Sequence, residues 1–356
     1  MGPQEGIVEH QAARRVTIAD VAEAAGVSKT AVSFAFNNPD RLAAATTARI
    51  LEVADTLGYR PDPVARMLTQ RRTGTIGVVT PQALASMFSN PYFGMFGAGV
   101  AAVAEDAGYA LHFISPLHGS LSDAIARATV DGIVAIGLSA DHPEIAEIRR
   151  AGLPTVTVDS DRFEGLPSVE VDDEGGARAA AEHVAGLGHR DVLVIAIEPA
   201  EHAPSGAEDT VARRLRGYRA GLAGRGMTIA EGEIVVSPAT YAGGAAAIEQ
   251  AWSSGRRPTA ILAMSDAIAI GAIRALRDRG LVVPADVSVV GFDDIELAEA
   301  TDPPLTTVHQ PIRGKGEDAA RLLLAVLGGE PVPSGLHLET HLVVRSSTAP
   351  PPSATS

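Results

Sequence analysis

From Thr75 onward, short apolar runs alternate with longer alanine-rich stretches of helical periodicity. The runs include TIGVV, YALHFI, DGIVAIG, PTVTVD, DVLVIAI, TAILAM and VSVVGF. Runs that are apolar throughout are typical of strands buried on both faces of a parallel sheet that helices cover. About ten such runs lie within about 270 residues, more than one sheet of this kind usually holds. The pattern therefore predicts two similar doubly wound parallel-sheet lobes.

The chain before Thr75 has a different pattern, that of short amphipathic helices. Helices are predicted over residues 18–25, 29–37 and about 46–57. Thr17 can cap the first helix with Asp20 in the capping-box position, and Gly26 supplies the tight turn before the second. This spacing favours a helix-turn-helix whose second helix exposes a short polar face. By spacing alone, a plain alanine-rich helical hairpin remains the alternative.

The charge of the chain is unevenly distributed. The formal net charge is -14, which by itself argues against a nucleic-acid partner, because phosphate contacts need positive charge. Residues 11–72, however, carry nine Arg or Lys against six Asp or Glu, so the acidic excess lies beyond them. A mildly basic head on an acidic body is compatible with DNA binding confined to the head.

Several absences in the sequence narrow the class of protein. Cysteine does not occur, which excludes disulfides, thiolate catalysis and cysteine-ligated metal. No run approaches the ~18 consecutive apolar residues of a membrane helix. The N-terminus MGPQEGIVEHQAARR lacks the apolar core of a secretory signal. We therefore expect a cytoplasmic protein without a membrane partner.

Segments along nearly the whole chain after Arg15 resemble one known family. The head contains VTIADVAEAAGVSKTAVSFAFN, followed by LGYRPDPVARMLTQRRTGTIGVV. Further on come SNPYFGMFGAGVAAVAEDAGY, VDGIVAIG, LGHRDVLVIA, RLRGYRAGL, PTAILAMSDAIAIGAIRAL, VSVVGFDDIELAEATDPPLTTVHQP and LVVRSST. These segments resemble, in order, the LacI/GalR (lactose-repressor) family of transcriptional regulators. The resemblance implies a small all-α helix-turn-helix head on an α/β bilobed, periplasmic-binding-protein-like body.

The resemblance also implies which side chains meet operator DNA. Lys29 and Thr30, at the start of the second helix, would read bases. The residues that would mainly position the DNA backbone are Thr17, Ser28, Ser33, Asn37, Arg41, Thr46 and Tyr59. In the family, a hinge helix follows the head and pushes a leucine into the minor groove, which kinks the duplex. Leu68 occupies that position here, with Ala65 one turn earlier on the same face.

Three residues of the head and hinge depart from the family pattern. Phe34 follows Ser33, where family members usually carry Arg, so one base or phosphate contact is expected to be missing. Ala43 stands where a Ser commonly caps the third helix, which should weaken that cap by about 1 kcal/mol. Asp62 replaces the usual Asn at the start of the hinge. Phe34 and Asp62 together predict an unusual operator half-site.

For the body, the resemblance implies a cleft between the lobes that binds a small-molecule effector. The predicted effector-binding residues are Tyr92, Phe93, Asp159, Arg214, Tyr241, Asp266 and Asp293. Arg214 would donate to hydroxyls or a carboxylate, and the Asp side chains would accept from hydroxyls or ring nitrogens. This mixture suits a sugar or a nucleoside. Ser265 stands where many family members have Asn, so no particular sugar is indicated.

The expected organisation follows the family. We expect a helix-turn-helix domain (15–60), a hinge helix and linker (61–73), an effector-binding and dimerisation domain (74–348) and a disordered tail (349–356). Lobe 1 is predicted over about 74–171 and 304–333, and lobe 2 over about 172–303 and 334–348. The expected function is that of a transcriptional regulator, most simply a homodimeric repressor on a palindromic operator. We expect no enzymatic activity, no cofactor and no metal.

Three other sequence features have competing interpretations. Gly97 begins a GxGxxA pattern, but no buried strand precedes it, so packing of a Gly/Ala helix face is favoured over dinucleotide binding. His337 and His341 are expected on one face of a single strand without a third ligand, so zinc is discounted. Asp172-Asp173-Glu174 is expected to be a solvated loop and helix start. Two rival functions remain, a stand-alone periplasmic-type binding protein and an NAD-dependent enzyme.

Overall fold

The computed structural model describes residues 16–61, 72–118, 120–138, 143–198 and 209–352. It divides into two compact units, Met1–Thr73 and Gly74–Ser356, which we call the head and the body. Asp62, Ala65 and Leu68 of the predicted hinge lie outside the described residues. Among the described residues, no helix has both the length and the apolar character needed to cross a membrane.

The head contains three helices, and local sequence signals set their ends. These are α1 (Ile18–Ala25), α2 (Lys29–Asn37) and α3 (Ala44–Thr56). Thr17 and Asp20 form the predicted capping box on α1, and Gly26 ends it in the left-handed conformation at φ 64°. Ala43 precedes α3 without a side-chain cap, as its methyl group dictates. Val21, Val32 and other apolar residues of the three helices form a small core.

The body alternates strands and helices along the chain, as the apolar runs predict. Its strands are β1 (Thr75–Val79), β2 (Ala110–Ile114), β3 (Gly132–Ile136), β4 (Thr155–Val158), β5 (Ser168–Val171), β6 (Val192–Ile197), β7 (Ile234–Ser237), β8 (Ala260–Ala263), β9 (Ser288–Asp293), β10 (Thr306–His309), β11 (Gly335–Leu338) and β12 (His341–Val343). Its helices are α4 (Leu84–Ser89), α5 (Pro91–Asp106), α6 (Leu121–Arg127), α7 (Pro143–Ala151), α8 (Asp173–Gly186), α9 (Thr210–Ala223), α10 (Tyr241–Ser253), α11 (Asp266–Asp278), α12 (Glu296–Ala300) and α13 (Ile312–Gly328).

The strands form two six-stranded sheets, one in each lobe. Lobe 1 has the order β11-β5-β4-β3-β1-β2, and lobe 2 has the order β12-β10-β9-β8-β6-β7. Every pairing is parallel except that of β10 with the short edge strand β12. This arrangement confirms the predicted bilobed α/β fold. Ligand sites of such sheets lie beyond the carboxyl ends of the parallel strands.

The chain passes between the lobes at three places, and two of them differ from the predicted lobe boundaries. The first crossing, after β5, agrees with the boundary at residue 172. The strand β10 was predicted in lobe 1 but pairs with β9 in lobe 2, and β11 was predicted in lobe 2 but pairs with β5 in lobe 1. An apolar run predicts a strand but does not say which sheet will pair with it, because pairing depends on distant residues.

The GxGxxA pattern lies within α5 and serves the packing of two helices. A Cβ atom on Gly99 would stand 2.1 Å from the carbonyl oxygen of Arg313, and one on Gly316 would stand 2.3 Å from that of Phe96. The glycines therefore let α5 and α13 pack with their backbones close together. This bears out the packing interpretation, because no glycine of the pattern lies in a turn between a strand and a helix.

The tail predicted to be disordered from residue 349 is bound to lobe 2 at its start. The amide of Ala349 donates to Ser288 Oγ at 3.0 Å, and its carbonyl oxygen lies 2.9 Å from Nε2 of His189. His183 Nε2 lies 2.9 Å from Thr348 Oγ1. These polar partners of the tail are distant from it in sequence, so the Pro-rich composition of the tail alone could not reveal them.

Candidate functional site

The predicted DNA-contacting residues of the head lie mainly on the outer side of α2. Lys29 and Thr30 are exposed at its first turn, where Ser28 Oγ accepts a hydrogen bond from Ala31 N at 3.1 Å and caps the helix. Asn37 Nδ2 donates to Ser33 Oγ at 3.4 Å. These side chains form a short polar face of the size that a major groove admits.

Other predicted DNA contacts have different places in the head. Arg41 is exposed after α2, and Thr46 is half-buried in the first turn of α3. Thr17 already serves the capping box of α1. Tyr59 is a core residue, only 8% exposed, and its ring meets the edge of Phe36 at 5.7 Å between centroids. Because the ring is buried in the core, only the hydroxyl group of Tyr59 could contact a phosphate. That contact stays a prediction.

A cavity between the two lobes gathers the polar groups that follow several strand ends. It holds about 160 Å³, and its lining includes five of the predicted effector residues. They are Tyr92, Phe93, Asp159, Arg214 and Asp293. Another cavity of about 480 Å³ lies against β11, at the outer edge of lobe 1. We prefer the interlobe cavity because charged groups of both lobes converge there.

On the side of lobe 1, Asp159 follows β4 and pairs with a buried lysine. Lys315 Nζ lies 2.6 Å from Asp159 Oδ2, and the hydroxyl of Tyr92 donates to the same oxygen at 2.6 Å. Burial alone would raise the pKa of Asp159, but the charge of Lys315 and these two hydrogen bonds lower it. The other oxygen, Oδ1, is buried and has no hydrogen-bond partner among the described residues. A ligand hydroxyl or N–H group could donate to it.

The polar network continues from lobe 1 into lobe 2. Lys315 Nζ donates to Gln310 Oε1, and Gln310 Nε2 donates to Asp293 Oδ1, each at 2.6 Å. Burial raises the pKa of Asp293 to about 6, although Arg214 opposes the shift. Hydrogen bonds thus connect Asp159 to Asp293 across the crossing at Gln310.

Arg214 is fixed on lobe 2 by neighbours that set its orientation. Its Nε donates to Asp173 Oδ1 at 2.8 Å, its Nη1 donates to the carbonyl of Met264, and Nη1 lies 4.0 Å from Asp293. The guanidinium lies 3.6 Å from the centroid of Phe292. Burial would lower the pKa of Arg214, but the charges of Asp173 and Asp293 raise it. The cation is therefore held in place at the cleft.

Two predicted effector residues are not part of the cavity lining. Asp266 is fully buried, and its oxygens accept hydrogen bonds from Thr307 Oγ1 at 2.5 Å and Ile295 N at 2.9 Å. Burial, followed by the charge of Asp293, raises its pKa well above the usual value. Asp266 therefore supports the backbone around β9. Tyr241 begins α10 and is likewise absent from the lining, so an effector contact by either residue stays a prediction.

The structure also corrects two interpretations of charged side chains. Asp173 was expected to be solvated but is 1% exposed, because Arg213 and Arg214 pair with it at 3.1 and 2.8 Å. His337 and His341 were expected on one strand but lie on β11 and β12, in different sheets. Within the described residues, no group of three His, Cys, Asp or Glu side chains could hold a metal.

Sequence reasoning missed Lys315 and Gln310, although the lysine left a signal. In α13, Lys315 falls within the apolar stripe of Ile312, Gly316 and Ala319 at spacings of three and four residues. A lysine in such a stripe is buried only when it has a partner.

Ser265 lines the cavity and caps α11, accepting a hydrogen bond from Ile268 N at 3.2 Å.

Comparisons with known proteins cover both units of the chain. Residues 17–62 match the family described as bacterial regulatory proteins, lacI family, and residues 181–348 match the periplasmic binding protein-like domain. The HTH-type transcriptional regulator CelR of Thermobifida fusca is 34% identical over 346 residues, covering 94% of this chain and 98% of that protein.

Two solved structures are similar over nearly the same span. The transcriptional regulator CelR-cellobiose complex aligns with a TM-score of 0.67 at 32% identity. The lac repressor dimer bound to operator and the anti-inducer ONPF aligns with a TM-score of 0.80 at 28% identity. Each alignment covers 94% of this chain and 100% of the other chain. The fold of this chain thus resembles that of transcription regulators over nearly its whole length.

Proposed function

This chain belongs to the LacI family of bacterial regulatory proteins, as its sequence indicates. We therefore propose that it is a cytoplasmic transcriptional repressor whose affinity for operator DNA is controlled by a sugar or nucleoside. In this proposal, a homodimer places two heads on the half-sites of a palindromic operator. The hinge residues Ala65 and Leu68 would enter the minor groove between the half-sites.

The observation that carries the effector part of the proposal is the arrangement of polar groups around the cleft. Asp159 offers a buried acceptor, Oδ1, that has no partner among the residues the structure describes. Asp293 offers a second carboxylate and Arg214 offers a fixed cation. Tyr92 and Phe93 supply aromatic surface beside them. Such groups suit the hydroxyls and the apolar ring face of a carbohydrate. The cellobiose complex of the CelR regulator supports this class of ligand.

Coupling between cleft and DNA is expected through the movement of the lobes. The polar network links Asp159 of lobe 1 to Asp293 of lobe 2, so a ligand that replaces or completes these bonds would favour one lobe arrangement over another. Coupling of this kind is typically worth about 1–3 kcal/mol, which is about 5–150-fold in DNA affinity. The ligand-bound operator complex of the lac repressor supports the coexistence of both sites in one molecule.

Fluorescence anisotropy of the full chain on a duplex from its own upstream region tests the proposal. Cellobiose, glucose, ribose and adenosine serve as probes. We expect tight, salt-sensitive binding and at least a fivefold change in affinity with one probe. The variant Arg214→Lys, which keeps a positive charge beside Asp173 and Asp293 but loses the forked guanidinium, should reduce that change while retaining DNA affinity. The surface variant Arg321→Lys should behave like the unmodified protein.

The rival functions make different predictions in the same assays. A stand-alone binding protein would bind a probe but no duplex. An NAD-dependent enzyme would be stabilised by NAD in a thermal-shift assay. Absence of DNA binding would overturn the repressor proposal, and DNA binding that responds to none of the four probes would overturn the proposed effector class.

A further inference from the structure

Phe34 is an aromatic residue on the outer side of α2 that the core of the head does not use. Val32 and Ala35 are buried in that core, and Ala31 and Phe36 pack against it. At about 100° per residue, Phe34 lies about 40° around the helix from Thr30, on the polar side. Its ring is half-buried and is absent from the core cluster of the described head. Core packing therefore does not explain an aromatic residue here.

Arg41 lies against the ring of Phe34. The guanidinium carbon of this exposed residue is 5.4 Å from the ring centroid, a cation–π distance. The contact joins α2 to the turn Pro39–Arg41 that follows it. The pair thus presents an apolar ring beside a positive charge, next to Thr30 on the same surface.

The chemistry of the pair restricts what it can recognise on DNA. A phenyl ring has no donor or acceptor for the polar edges of bases. Thymine presents a methyl group in the major groove, and apolar side chains recognise thymine through it. We propose that Phe34 contacts the 5-methyl group of one thymine in each half-site, while the ring holds Arg41 for a neighbouring phosphate. This rests on the proposed function, because it requires α2 to enter the major groove.

Replacement of thymine by uracil tests the proposal, because it removes only the methyl group. The full chain first selects its preferred duplex from a randomised library. Each thymine of that duplex is then replaced by uracil in both half-sites, and affinities are measured by anisotropy. One methyl group contributes about 0.8 kcal/mol, so we expect about fourfold weaker binding per half-site at a single position. The variant Phe34→Ala should bind both duplexes equally.

Two control variants separate the thymine contact from other effects. Lys29→Ala should retain the thymine preference at that position, although it binds more weakly. Arg41→Gln should reduce the salt dependence by about one phosphate contact per half-site. A duplex that shows no uracil-sensitive position, or a Phe34→Ala variant that keeps the full preference, would overturn the inference. Failure to select any duplex would instead overturn the proposed DNA-binding function.

Discussion

At the scale of single residues, the cleft is governed by which charges have partners. Lys315 is fully buried, yet its ammonium has Asp159, Gln310 and Tyr92 as hydrogen-bond partners. Burial of such a pair carries a desolvation cost that good geometry offsets, whereas an unpaired buried charge is strongly destabilising. The pair also leaves one oxygen of Asp159 for a ligand. Lys315 therefore maintains the acceptor that the proposed effector would use.

Replacement of Lys315 by Met should destabilise the body by about 3–5 kcal/mol, because it leaves the Asp159 carboxylate without its cation. The charge-balanced double variant Lys315→Met/Asp159→Asn should recover most of that loss. Urea unfolding of the full chain measures both. The exposed pair of Arg321 with Glu317 supplies the control, since Arg321→Met should cost less than about 1 kcal/mol. Equal losses for Lys315→Met and Arg321→Met would contradict the prediction.

At the scale of helices and strands, much of the fold could be predicted because local signals were strong. The capping box at Thr17 and the left-handed Gly26 fixed the ends of α1, and the apolar runs predicted the body strands. The predicted assignment of β10 and β11 to lobes was wrong because the sequence of one strand does not determine which strand it pairs with. Asp173 was missed for the same reason, since its partners Arg213 and Arg214 lie about 40 residues away.

Ala43→Ser should stabilise α3, because Ala43 already has the extended backbone of a cap at φ -65° and ψ 139° but has no side-chain acceptor. The expected gain is about 1 kcal/mol. Hydrogen exchange of the full chain should therefore slow about fivefold in the first turn of α3. The control Ala48→Ser, in the exposed middle of the helix, should not slow exchange. Similar protection in both variants would exclude capping as the cause.

At the scale of the whole molecule, the two lobes form one unit because the chain crosses between them three times and its end returns to lobe 2. Thr348 and Ala349 meet His183 and His189 beside Ser288. His189 is 1% exposed, and burial lowers its pKa, as it does that of His183. The segment after β12 is therefore bound most firmly when both histidines are neutral.

The stability of the body should accordingly fall in mildly acidic solution. An unfolded histidine takes up a proton near pH 6.5, whereas the folded rings do so only at lower pH. Their contribution is complete above pH 6.5 and decreases as the pH falls from there towards the folded pKa values. Unfolding free energies at pH 7.5 and 5.5 should show a smaller difference for His189→Asn than for the unmodified chain. The exposed His112→Asn should leave the difference unchanged.

The crossings of the chain between the lobes also determine which strands are lost when the gene is truncated at its 3′ end. Lobe 1 receives β11 and lobe 2 receives β12 only after α13 has been made. A premature stop codon anywhere before residue 335 therefore removes an edge strand from both sheets at once. Neither lobe can be produced from one uninterrupted gene fragment, and a deletion series whose stop codons all precede residue 335 should yield no product in which either sheet is complete.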